Sequence, residues 1–157
     1  MASGASHVAY RLQTRSRPGL LFAMMHGLAS DDARISFEGS LSNTDLAKTD
    51  GVSFAETEVL RRATLSPPLD FMVLPLTPAT VAIIKKAIVS KIGFKHYRGI
   101  VHVQIERSGA MAFAAYDHFH KDCVVAYSAV PVGLLMDLVE RKVLYSFEAI
   151  AAGSKVT

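Results

Sequence analysis

The sequence predicts an α+β fold with a largely antiparallel sheet and helices packed on one face. Segments in which apolar and polar residues alternate, such as Arg34–Leu41, indicate half-buried strands. Apolar residues at helical spacing, as at Val81, Ile84, Ile88 and Ile92, indicate helices. Helices and hairpins are mixed along the chain, and this order favours the α+β class.

The first half of the chain predicts two strands, one helix and one ambiguous segment. A strand at His7–Gln13 precedes a helix at Leu20–Ala29, which Ser16–Gly19 begins because proline is tolerated in the first turn. Arg34–Leu41 forms the second strand, and a polar loop follows it. Glu56–Leu65 has charges that suit a helix but also alternates, and we favour a strand there.

The second half predicts further strands and two helices. Each helix has a start signal, because Thr77 and Pro78 combine a capping hydroxyl with an early proline and Pro131 opens the other helix. Gly93 is expected to stop the first of these helices. The remaining elements are a buried strand that Pro75 places at a sheet edge or bulge, a strand meander and a short last strand: Leu69–Leu76, Ile100–Tyr127 and Val143–Phe147.

The composition limits the classes of protein to which the chain can belong. The 157 residues are 50% hydrophobic, which predicts one folded domain over residues 1–150 with a flexible tail over 151–157. The apolar stretches are too short to cross a bilayer, and the first residues lack the pattern of a signal peptide. A single cysteine, Cys123, favours the reducing cytoplasm. The formal charge of +3 allows an acidic partner without requiring nucleic acid.

The meander contains a hairpin whose register decides which side chains share a face. We predict a three-residue turn at Arg107–Gly109, because glycine then takes the left-handed position. This register pairs Ile105 with Met111 and Val103 with Phe113. It gives the sheet an apolar inner face and a polar outer face.

The outer face of this hairpin is the predicted site. It carries imidazole, phenol and amide groups above a floor of alanines, a composition that suits a docking surface. We expect partner-binding residues there and in the preceding loop: His102, Gln104, Tyr116, His118, His120, Tyr97 and Arg98. The competing interpretation is an ordinary water-facing sheet.

An enzyme and a nucleic-acid-binding module are the alternatives to a protein-binding domain. His118 and His120, two apart on a predicted strand, point the same way and suggest a metal- or histidine-dependent hydrolase. His102 lies too far along the strand to be an obvious third ligand, so we predict no metal and no cofactor. Cys123 is expected to be a small buried hydrophobe rather than a nucleophile. Basic residues such as Arg61 and Arg62 suggest a nucleic-acid-binding module, which the small net charge makes less favoured.

Four segments together resemble small bacterial immunity proteins, which block contact-dependent or secreted toxins. They are ISFEG at Ile35–Gly39, VLPLT at Val73–Thr77, HVQIER at His102–Arg107 and AAYDHFHKDCV at Ala114–Val124. The resemblance implies a non-enzymatic inhibitor of a toxin. Many such proteins are acidic, and the mildly basic charge of this chain favours a neutral or acidic partner instead.

Overall fold

A computed structural model describes residues 9–89 and 99–150. Ten regular elements lie within these residues, besides a 3-10 turn at Leu46–Lys48. In chain order they are β1 (Ala9–Thr14), α1 (Arg17–Leu28), β2 (Ala33–Gly39), β3 (Asp70–Pro75), α2 (Val81–Val89), β4 (Ile100–Arg107), β5 (Ala110–Ala115), β6 (Val124–Ala126), α3 (Val132–Glu140) and β7 (Leu144–Ile150).

The described strands form one seven-stranded sheet in the order β3-β2-β4-β5-β6-β1-β7. All neighbouring pairs are antiparallel. Buried residues of α1, α2 and α3 join the apolar side chains of the inner sheet face in one hydrophobic cluster. The predicted α+β fold with helices on one face is therefore confirmed. Among the described helices, none is both long enough and apolar enough to cross a membrane.

Helix α1 lies at the centre of this cluster. Ser16 begins it as predicted, and the Gly19 amide donates to the Ser16 hydroxyl at 3.1 Å. Its leucine and methionine side chains are fully buried, and each contributes about 1.5–3 kcal/mol of burial free energy. They are packed in one cluster with inner-face residues such as Phe37 and Phe113.

Helices α2 and α3 are amphipathic and flank α1. Helix α2 begins at Val81, a few residues after the predicted start at Thr77 and Pro78, and the Thr77 hydroxyl accepts from the Thr80 amide at 3.2 Å as a capping group does. Its predicted stop at Gly93 lies outside the described residues. Helix α3 follows Pro131 as predicted and buries Leu135 and Leu138.

The predicted hairpin register is wrong. The turn has two residues, Ser108 and Gly109, both with positive φ (53° and 76°), and Arg107 pairs with Ala110. The register then shifts between Ile105 and Glu106, so that Ile105 faces Phe113. The extra residue of this bulge lies in β5. The two-residue turn pairs Met111 with Glu106 on the outer face, and the bulge then places Phe113 opposite Ile105 on the inner face.

The predicted strand at 56–65 is also absent, since residues 54–69 are irregular. Residues 53–64, here called the covering segment, begin at a bridge between Ser53 and Val73. The segment then runs over the outer face of β2, β3 and β4, which is why no strand forms: its backbone groups bond to side chains of the sheet. Leu60 in this segment is buried with Phe71 and Val73 in a small second core.

Two glycines give a matched test of the backbone assignments. Gly109 has a positive φ and Gly133 lies in α3, and a methyl group at either position would meet nothing within 4 Å. We expect Gly109→Ala to lower the free energy of unfolding by about 1–2 kcal/mol through left-handed strain. Gly133→Ala is expected to raise it by about 0.5–1 kcal/mol. Urea denaturation measures both, and a change of the same sign in the two variants would contradict the assigned turn.

Candidate functional site

The outer sheet face carries a row of polar side chains that the covering segment buries. Glu38 comes from β2, and His102, Gln104 and Glu106 come from β4. All four are buried. The sequence predicted His102 and Gln104 on an exposed docking face, and their exposure is therefore corrected, because the covering segment lies over them.

Glu38 and Gln104 bind the backbone of the covering segment. The two carboxylate oxygens of Glu38 accept from the amides of Ala63 at 2.8 Å and Thr64 at 3.1 Å. The Gln104 amide donates to the Arg61 carbonyl at 2.6 Å and accepts from the Arg61 amide at 3.4 Å. Because each polar atom has a partner, the desolvation cost of burying these groups is offset.

Glu106 holds the start of the segment through Thr57. The Thr57 hydroxyl donates to a Glu106 carboxylate oxygen at 2.6 Å. The same hydroxyl accepts from the amides of Val59 at 3.2 Å and Leu60 at 2.8 Å. This network fixes the turn that directs Leu60 into the second core.

His102 links the covering segment to the turn that follows β5. Its Nδ1 accepts from the Asp117 amide at 3.1 Å, so the network assigns the proton to Nε2, which donates to the Thr64 hydroxyl at 2.8 Å. Burial lowers the pKa of His102, while the charges of Glu38 and Asp117 raise it in part and His118 lowers it further. His102 is therefore a neutral bridge at neutral pH.

The turn at residues 117–122, here called the rim turn, has an unusual backbone. Asp117, His118 and Phe119 all have left-handed φ angles of 53°, 58° and 61°. Consecutive left-handed residues other than glycine are strained, so the surroundings must hold them. The His118 amide donates to the Val101 carbonyl at 2.8 Å, and buried Phe119 lies 6.4 Å from Phe113 between ring centres.

The rim turn also corrects the predicted strand geometry of the histidines. His118 and His120 do not lie on a strand, because β5 ends at Ala115. Both side chains are exposed, and the chain folds back so that His118 acts on the pKa of His102. The prediction that a length of strand separates His102 from His118 is therefore wrong.

A cleft of about 540 Å³ lies between the covering segment and the rim turn. Tyr116 is half-buried in it, and its ring centre lies 5.6 Å from that of His102. Burial, with smaller contributions from Tyr127 and Glu38, raises the pKa of Tyr116 to about 12. Its phenol thus stays protonated at neutral pH. The lining residues are Val59, Arg61, Arg62, Ala63, Thr64, His102, Gln104, Met111, Tyr116, Asp117 and Cys123.

Cys123 is a buried member of this lining. Burial raises the pKa of its thiol, and the charges of Asp117 and Asp122 raise it further. A protonated thiol is a weak nucleophile. Within residues 9–89 and 99–150, no group of three His, Cys, Asp or Glu side chains is placed to hold a metal ion.

The structure brings together most of the predicted site residues that it describes. Tyr116, His118 and His120 lie around the mouth of the cleft or on the adjoining turn, and His102 lies beneath them. Gln104 lines the floor. Tyr97 and Arg98 lie outside the described residues.

Sequence reasoning missed Glu38, Thr57, Thr64 and Met111. Glu38 gave one usable signal, because it lies at an outer-face position of β2, where it is paired with His102 in the sheet. The two threonines gave none, since they lie in an irregular segment. Met111 lies on the outer face because the turn has two residues and not the three that we predicted.

No protein-family model, no curated protein and no solved structure matches the chain.

The Glu38 carboxylate gives a direct test of how the covering segment is held. Glu38→Gln presents an amide NH₂ to one of the two backbone donors, so we expect the free energy of unfolding to fall by about 1–3 kcal/mol. Release of the segment is expected to speed tryptic cleavage after Arg61 and Arg62. The control is Glu148→Gln, which removes an exposed ion pair with Arg11. Wild-type cleavage rates in Glu38→Gln would contradict this role of the carboxylate.

The lowered pKa of His102 predicts a pH dependence of stability. The unfolded chain takes up the His102 proton near pH 6.5, whereas the folded chain does so only at lower pH. Stability from neutral His102 is therefore present above pH 6.5 and lost as the pH falls below it.

Denaturation at pH 7 and pH 5 measures this effect. We expect His102→Gln to lose less stability than the wild type over this interval. His26→Gln, at an exposed position of α1, is expected to match the wild type. An equal loss in His102→Gln and the wild type would show that His102 does not contribute.

Proposed function

We propose that the chain is a non-enzymatic protein-binding domain, an immunity-type inhibitor that neutralises a cognate bacterial toxin in the cytoplasm. The observation that carries the binding role is the left-handed rim turn, which displays His118 and His120 beside the cleft. The toxin class rests on the sequence resemblance described above.

The rim turn has the properties of a preorganised binding loop. Its strained backbone is fixed from several sides, since the Cys123 amide donates to the His120 carbonyl at 2.8 Å and the Asp122 amide donates to His120 Nδ1 at 3.2 Å. A loop that is ordered before binding loses less conformational entropy on association. Strained backbone is also concentrated at functional sites.

The cleft supplies a pocket into which a partner can insert a side chain. Tyr116 offers a protonated phenol and an aromatic face, and Met111 offers an adaptable apolar surface. The rim carries charges of both signs, from Arg61 on one side and from Asp117 and Lys121 on the other. A central aromatic anchor with a polar rim is the usual organisation of a protein interface.

The hydrogen bonds of the buried polar side chains on the outer sheet face favour a binding role over a catalytic one. His102 uses both ring nitrogens and Gln104 uses both amide atoms to hold the protein's own chain. These groups therefore act as scaffold for the cleft. The hydrolase and nucleic-acid alternatives gain no specific support from these contacts.

The binding role can be tested with exposed histidines. His118→Ala and His120→Ala are expected each to weaken binding of the toxin domain encoded beside this gene by about tenfold, because they remove contacts that the preordered rim turn makes beside the central Tyr116. Tyr116→Phe keeps the ring and tests the hydroxyl alone. Isothermal titration calorimetry measures the affinities.

His26→Ala is the matched control, since it removes an exposed histidine from α1 on the opposite sheet face. Circular dichroism checks that the variants fold. Wild-type affinity in His118→Ala and His120→Ala would remove the rim turn from the interface, and wild-type affinity in Tyr116→Phe would show that its hydroxyl makes no contribution. Absence of binding by the wild-type protein, together with no rescue of cells that express the toxin domain, would refute the inhibitor role.

A further inference from the structure

The imidazole of His102 is bonded to both walls of the cleft. Its Nε2 donates to the Thr64 hydroxyl in the covering segment at 2.8 Å, and its Nδ1 accepts from the Asp117 amide in the rim turn at 3.1 Å. The first bond uses a proton on Nε2, and the second requires a lone pair on Nδ1. The neutral imidazole meets both requirements, and the charged imidazole meets one of them.

A second proton on this ring acts on the two bonds unequally. The proton binds to Nδ1, where the new N–H group faces the Asp117 N–H group, so that two donors oppose each other. The bond from Nε2 to Thr64 keeps its donor and its acceptor. Protonation is therefore expected to act on the rim turn and to leave the covering segment in place.

The backbone of the rim turn depends on the bond that is lost. Its residues 117–119 are left-handed, and contacts with the sheet must offset their strain. Within residues 9–89 and 99–150, two hydrogen bonds tie these residues to β4, from the Asp117 amide to His102 and from the His118 amide to the Val101 carbonyl. Asp117 is the first of the left-handed residues, so its bond fixes the point at which the turn begins.

Charged groups of two other elements act on His102. Glu38 on β2 is its partner in the sheet register, and Asp117 and His118 lie in the rim turn. Burial lowers the pKa of His102 most, His118 lowers it further, and the two carboxylates raise it in part. The proton is therefore taken up below pH 6.5. Other titratable groups that line the same cleft are Arg61, Arg62, Tyr116 and Cys123.

We propose that His102 is an acid-sensitive switch for the rim turn. When its imidazole takes up the second proton, the turn is released from His102 and loses its fixed backbone. A released turn must be ordered again on association, which costs conformational entropy, so a partner binds more weakly in acid than at neutral pH. This effect on affinity rests on the proposed function, whereas the release of the turn does not.

NMR of the free chain tests the release. A titration from pH 7 to pH 5 follows the protonation of His102, with exposed His26 as an internal reference. As His102 becomes charged, the protection of the Asp117 and His118 amides against hydrogen exchange is expected to fall by about tenfold, because local opening becomes more frequent.

The amides of the covering segment are the control for this experiment. Ala63 and Thr64 donate to Glu38 and are expected to keep their protection. Three results would overturn the proposal: unchanged protection of Asp117 after His102 has become charged, an equal loss in the covering segment, or unfolding of the whole chain before His102 becomes charged.

Two variants of the rim turn test the electrostatic coupling. Asp117→Asn keeps the backbone amide, and asparagine tolerates the left-handed conformation. It removes a charge that favours the charged imidazole, so the midpoint of release is expected to fall by about half a pH unit. Asp122→Asn removes a charge from the same turn that acts on Cys123 and is expected to leave the midpoint unchanged. Equal midpoints in the two variants would contradict the switch.

Calorimetry with the toxin domain encoded beside this gene tests the effect on affinity. The dissociation constant of the wild type is expected to rise by about tenfold from pH 7 to pH 5. His102→Gln is expected to show a smaller rise, because its side-chain oxygen and amide group are the same at both pH values. Equal rises in the two proteins would overturn the effect on binding. Absence of binding by the wild type at pH 7 would refute the inhibitor role instead, and the NMR titration would then decide the switch.

Discussion

The hydrogen bonds from Glu38 and its neighbours to the covering segment are the constraint on which the outer side of the fold depends. Polar side chains on β2 and β4 are buried, and buried polar atoms require partners. The backbone of residues 61–64 in the covering segment supplies these partners. The same hydrogen bonds satisfy backbone groups of the segment that would otherwise pair within a strand. The sheet side chains and the backbone of the covering segment therefore satisfy each other's hydrogen-bonding groups.

His102 extends this constraint to the rest of the site. It is the residue that bonds both to Thr64 of the covering segment and to the backbone of Asp117. The position of the segment is thereby coupled to the position of the rim turn. His102 therefore lies at the base of the cleft and joins its two walls, which other hydrogen bonds also hold.

The sequence predicted the helices and the inner sheet face well, because both follow from local spacing. The burial of Leu135 and Leu138 in α3 follows from helical periodicity, whereas α1 is buried because apolar residues cover most of its surface. The hairpin register was harder to predict, since a two-residue turn followed by one extra residue in β5 places Met111 and Phe113 on opposite faces. No local pattern in the sequence separates the bulged register from the alternatives.

The site was harder to predict for a different reason. The partners of the covering segment lie far away along the chain, 43 residues for Gln104 and 49 for Glu106. Alternating polar and apolar residues at 56–65 suggested a strand. In the structure the backbone of this segment forms hydrogen bonds with side chains of β4 instead of with another strand. The rim turn lacks the glycines that normally mark left-handed backbone, so its geometry could not be predicted from residue types.

The way in which the covering segment is held has an evolutionary consequence. Gln104 forms hydrogen bonds with the amide and carbonyl of residue 61, and the Glu38 carboxylate accepts from the amides of residues 63 and 64. Main-chain atoms are the same for nearly every amino acid. The side chains of Arg61 and Ala63 can therefore change without loss of these bonds, whereas changes at Thr57, Leu60 or Thr64 would remove side-chain contacts that hold the segment.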